Sequence, residues 1–260
     1  TTVSGGTVNF NGAYTGETTN VSGGVVNFNP ATHTTAVLNL SGGGIVSNGL
    51  LRVSGIQASS WTGGNLDGTG TVQLDSGVVL DKSGTGGVLG RFLINNGTVR
   101  FSGGSFAVAP SSTLRNNGTF EFAGDYTLSG GGNFLNNGTV TKTAGTGTAM
   151  LAATLGDSGN WTVNTGTLNL AHGSSGSGSM NVNAGAGTLA FNSGTFDMRG
   201  LIAAPGSTVA FSGGTTNFSG AFVNAGSTSV SAGSTLVMGS GGSFQNAATG
   251  ILGGAGTIDM

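Results

Sequence analysis

Asp75, Asp81 and Lys82 make the tightest group of ionisable side chains in this sequence. Carboxylates beside an amine can do acid–base chemistry, or hold calcium with further acids, when a fold gathers them on one face. The other carboxylates, among them Asp67, Glu121, Asp125 and Asp197, are spread along the chain. The group therefore reads as a solvated turn, and no catalytic residue is assigned. His33 and His172 lie in Thr-rich and Gly/Ser-rich stretches too far apart to share a metal, and both read as surface-turn residues. A calcium-binding repeat array would need an Asp in every unit, and none is seen, so no metal or cofactor is expected. Ser175 sits in flexible-linker composition, not between a strand and a helix. The best ligand contacts are the two tryptophans, because an exposed indole stacks on a sugar face. Trp161, within Asn160-Trp161-Thr162-Val163, reads as core, which leaves Trp61 as the glycan contact.

Composition narrows the functional classes. Glycine supplies 54 of 260 residues, while charged residues make up only 6%. Seven scattered Lys and Arg cannot form a nucleic-acid footprint. No apolar run approaches the length of a membrane span, so no membrane insertion of this segment is expected. Hydrophobic residues at 36% and a net charge of only -2 separate the chain from disordered segments.

The elements that must position these residues are repeats. Val3-Ser4-Gly5-Gly6-Thr7-Val8-Asn9-Phe10-Asn11 returns 18 residues later as Val21-Ser22-Gly23-Gly24-Val25-Val26-Asn27-Phe28-Asn29. Asn-Asn-Gly-Thr occurs at 95–98, 116–119 and 136–139. Apolar residues alternate within units, as in Val99-x-Phe101, Phe120-x-Phe122 and Leu168-x-Leu170. Period two means strand. A sandwich gives no reason for equivalent positions to recur at a fixed interval, whereas a solenoid lays like upon like at about 4.8 Å.

The expected fold is therefore all-β, a right-handed parallel β-helix (β-solenoid) of about 13 coils of roughly 20 residues. Residues 1–260 form a single solenoid domain in this reading, with irregular coils near 47–60 and 142–159. Expected ladders are Asn95, Asn116 and Asn136, and Thr188, Thr208 and Thr228. Gly97 and Gly118 are expected to supply positive φ at corners. Arg100 and Glu121 should pair across adjacent coils, and Lys142 falls in the inward slot of Phe101 and Phe122. The interval from Thr139 to Thr167 is 28, which marks the second irregular stretch.

Trp61-Thr62-Gly63-Gly64-Asn65-Leu66-Asp67-Gly68-Thr69-Gly70-Thr71-Val72 and Gly250-Ile251-Leu252-Gly253-Gly254-Ala255-Gly256-Thr257-Ile258 resemble the β-strand repeats of bacterial autotransporter passengers and filamentous-haemagglutinin-like exoproteins. That resemblance implies export and an extracellular or cell-surface location, in a bacterium. Neither end of the sequence reads as a polar cap, so either the chain is a window of a longer solenoid or its ends stack on other copies of itself, which are the expected partners. The expected function is a non-enzymatic extracellular structural β-solenoid of a surface fibre, stalk or matrix. The alternative is an adhesin passenger that binds glycans or a host surface, and behind it a polysaccharide-degrading β-helix enzyme.

Overall fold

A computed structural model describes residues 1–29, 31–157, 159–174 and 178–260, with Asp157 given by its backbone alone. Ser175 lies outside the described residues. Among the described residues there is no helix. The chain is a parallel β-solenoid of about 12 turns, with coils about 21 residues apart, slightly fewer and longer than expected. Two compact units divide it: residues 1–121 with 128–133, and residues 122–127 with 134–260.

In the first unit each coil contributes strands to three parallel faces. One runs through residues 7–10, 25–28, 44–47, 65–67 and 88–90. A second runs through 32–35, 50–53, 71–74, 92–95 and 113–116. The third runs through 18–21, 37–40, 59–61, 79–82 and 98–101. Alternation decides what enters the core. Strand Val88–Asn95 buries Leu89, Arg91, Leu93 and Asn95 and turns the residues between them outward. On the third face the inward column is Val3, Val21, Leu40, Trp61, Lys82 and Phe101. Each large apolar member contributes about 1.5–3 kcal/mol by leaving water.

Corners must be tight, and glycine serves them in two ways. Gly24 and Gly43 adopt φ of 73° and 69°, and a Cβ on Gly43 would lie 2.3 Å from the Gly24 carbonyl oxygen. Gly97 and Gly118 differ from expectation, since neither has positive φ. They are glycine because of close approach: a Cβ would meet Val78 O at 2.3 Å and Gly97 O at 2.1 Å, respectively.

The asparagine ladder forms inside a corner. Asn95 is fully buried and donates from Nδ2 to Asn116 Oδ1 at 2.7 Å and to Thr119 O at 2.8 Å. Its Oδ1 accepts from Gly97 N at 3.1 Å. Asn136, in the second unit, is buried at the matching end of its own strand, Asn133–Asn136. Outside the core, Arg100 Nε lies 3.6 Å from Glu121 Oε2, as the coil register requires. That exposed pair marks alignment and adds at most about 1 kcal/mol.

The stretch at 47–60 owes its irregularity to one insertion. Thr35 pairs with Val53 and Asn39 with Ser60, so the three residues between in one coil face six in the next. Three extra residues leave through the corner, where Ile56 is 88% exposed.

The second unit shows why the interval of 28 misleads. Thr139 pairs with Asn160, and Thr148 with Thr167, at ordinary separations of 21 and 19. Thr139 and Thr167 stand on different faces, so the coil is not broken there. The threonine ladder also needs correction. Thr148, Thr167, Thr188 and Thr208 do stack in register, but the next position belongs to Ser227. Val230 must point inward over Phe211, and alternation then turns Thr228 inward too, opposite Val209. Thr228 is 1% exposed and donates to Asn224 Oδ1 at 2.9 Å.

Replacing Asn95 by Ala removes three hydrogen bonds and leaves Gly97 N, Asn116 Oδ1 and Thr119 O short of a partner. Urea unfolding should show a loss of roughly 2–4 kcal/mol. A variant as stable as the parent would mean that the ladder does not hold this corner.

Candidate functional site

The fold separates the charged group singled out in the sequence. Asp81 and Lys82 are neighbours on one strand, so they leave opposite sides of the sheet. Asp81 accepts outside from the Ser102 hydroxyl. Asp75 is occupied elsewhere, with Oδ2 taking Arg52 Nε at 2.7 Å and Oδ1 taking Gln73 Nε2 at 3.0 Å. Nothing here converges on a point where a substrate atom could sit.

Lys82 is not solvated at all. It is fully buried, and its Nζ donates to Ser83 O at 2.9 Å and Gly86 O at 3.0 Å, 5.7 Å from the Trp61 ring centroid. Burial pushes its pKa down to about 8, against the pull of Asp81. Lys142 solves the same problem with a counterion. It too is fully buried, donating to Ala144 O at 2.7 Å and Gly145 O at 2.6 Å, with Asp125 Oδ1 at 2.8 Å. The Lys142 hydrogen bond, helped by Gly147 N, holds the Asp125 carboxyl below its usual range. Arg91 is a third inward cation. Its Nη1 reaches Asp67 O at 3.2 Å, while Nε and Nη2 are buried with no hydrogen-bond partner among the described residues. Burial lowers its pKa to about 10, with Asp67 opposing.

Trp61 cannot serve as a sugar platform. It is 1% exposed, its Nε1 donates to Gly64 O at 3.0 Å, and Phe106 meets it edge-on at 5.1 Å. The third-face alternation turns position 61 inward, and an indole there becomes core. Trp161 is buried, as read from its strand. His33 also departs from expectation: it is fully buried in strand Thr32–Leu40, 4.8 Å from the Phe28 ring, with Nε2 2.8 Å from Asn29 O. His172 is exposed. Among the described residues no three His, Cys, Asp or Glu side chains gather as a metal site.

What the sequence reading missed lies at a corner and on an outer face. Asn224 is a further buried corner asparagine, donating to Asn246 Oδ1 at 2.7 Å and Ile251 O at 3.0 Å. Its signal was present in Asn224-Ala225-Gly226-Ser227, a relaxed copy of Asn-Asn-Gly-Thr. On the outer surface Phe92 points away from the core, with the Arg115 guanidinium 5.4 Å from its ring centroid. The outer surface of the described residues carries shallow grooves, among them one of about 400 Å³ beside Glu17 and Ile56 and one of about 340 Å³ beside Arg199 and Ile202. No helix among the described residues is long and apolar enough to cross a membrane.

No protein-family model, curated protein or solved structure matches the chain. The class is therefore defined by the fold: a parallel β-solenoid.

Lys82 gives a pH signature. Its folded pKa, about 8, lies below the ordinary 10.5, so the unfolded chain holds more protons between those values. Stability should rise as pH goes from about 8 to about 10.5, by roughly 1–3 kcal/mol. Denaturant unfolding at both pH values should show this rise in the parent and not in Lys82→Met. Equal slopes in the two proteins would show that Lys82 does not carry it.

Proposed function

We propose that the chain is a structural β-solenoid of the bacterial cell exterior, part of a surface fibre, stalk or matrix, and that it does no catalysis. What supports the reading is the wall itself: parallel coils about 21 residues apart stack one on the next, and among the described residues Asp75, Glu121, Lys82 and Lys142 are taken up in ion pairs or by turn carbonyls and do not converge on one point. Copies stacked coil on coil would make a heterologous contact that does not close, and so an open filament. With charged residues at 6%, few gatekeepers oppose it. The location outside the cell rests on the likeness of the repeats to autotransporter-type exoproteins.

Negative-stain electron microscopy of the purified chain at rising concentration should show unbranched filaments. A parent protein that stays monomeric and monodisperse throughout would overturn the filament reading.

A further inference from the structure

The second face of the first unit has an outer surface whose chemistry is not that of a plain spacer. Phe92 stands outward in mid-strand, between Thr71 on one side and Thr113 on the other. Two residues along the same strand, Ile94 stands between Gln73 and Arg115. A half-buried aromatic ring thus lies between two hydroxyls, beside a row in which Ile94 separates Gln73 from Arg115. Neighbours in each row are about 4.8 Å apart along a strand wall of repeating height.

The charges on this face are unequal in their partners. Asp75 has both oxygens engaged, by Arg52 and by Gln73. Arg115 has no carboxylate within ion-pair distance among the described residues, and its guanidinium rests on the Phe92 ring at 5.4 Å. An arginine so placed is oriented by the ring and keeps a fork that matches a carboxylate. Its charge is unmatched by anything this face provides.

We propose that this face binds a carboxylate-bearing polysaccharide. The C–H side of a pyranose ring packs on Phe92, sugar hydroxyls meet Thr71 and Thr113, and the sugar carboxylate pairs with Arg115. The flat, repeating surface suits an extended chain and not a compact ligand. With seven Lys and Arg in the whole chain, charge density is too low for a nucleic acid. This goes beyond the fibre reading and does not depend on it, since filaments and saccharide binding are scored separately.

The test is calorimetric or NMR titration of the full chain with oligogalacturonate, and with the same oligomer methyl-esterified, at low and high salt. The acid should bind, more weakly as salt rises, and the ester should bind at least roughly tenfold less well, the worth of one charge-assisted pair. Arg115→Gln should lose about the same factor and Phe92→Thr a comparable one, each with an unchanged circular dichroism spectrum. Arg199→Gln, in the other unit, should bind like the parent. No binding by the parent, equal binding of acid and ester, or full binding by Arg115→Gln would each overturn the proposal. So would an equal loss in Arg199→Gln, which would mark diffuse charge attraction. Should Phe92→Thr lose its fold, Arg115→Gln decides alone.

Discussion

Everything in this molecule depends on backbone hydrogen bonding from one coil to the next. Parallel strands satisfy their N–H and C=O groups only if a similar strand lies at the same height on the same face. That requirement fixes the coil length, and the coil length fixes which side chains touch. Phe191 stacks on Phe211 with centroids 4.8 Å apart and planes 16° apart, because the backbone spacing leaves the rings little choice. Position along the strand then decides inside from outside, so a polar residue at an inward position must find its partners within the core.

Three kinds of inward polar residue meet that demand differently. Asn95 closes a corner by acting as a backbone substitute, donating and accepting with its amide. Lys142 brings its charge to two turn carbonyls and a carboxylate. Lys82 has the carbonyls and an indole but no carboxylate at ion-pair distance among the described residues, and its lowered pKa is the result. A buried charge is costly unless paired. The two lysines share the same inward strand end and differ in their partners, since Lys142 has Asp125 at 2.8 Å.

Fold class was legible because spacing and alternation are properties of the backbone. Asn95 over Asn116 and Arg100 beside Glu121 follow from counting residues alone. Letters matched without alternation mislead. The Ser-Thr motif aligns Thr228 with the outward threonines, whereas Val230 covers Phe211 and turns Thr228 inward. Trp61 and His33 read as surface residues until the inward phase of their strands is counted. The outer pair Phe92–Arg115 was hidden for another reason: an aromatic residue in an apolar run looks like core until its phase is set by Leu93 and Asn95.

The detour at residues 54–58 has a wider meaning. Three added residues pass through a corner, and the strands on either side keep their partners at both ends. Growth at a corner of the coil is thus decoupled from the walls. In such a scaffold, loops at the corners are free to lengthen, diversify or carry grafted segments, while the walls are held to one alphabet by the layers above and below.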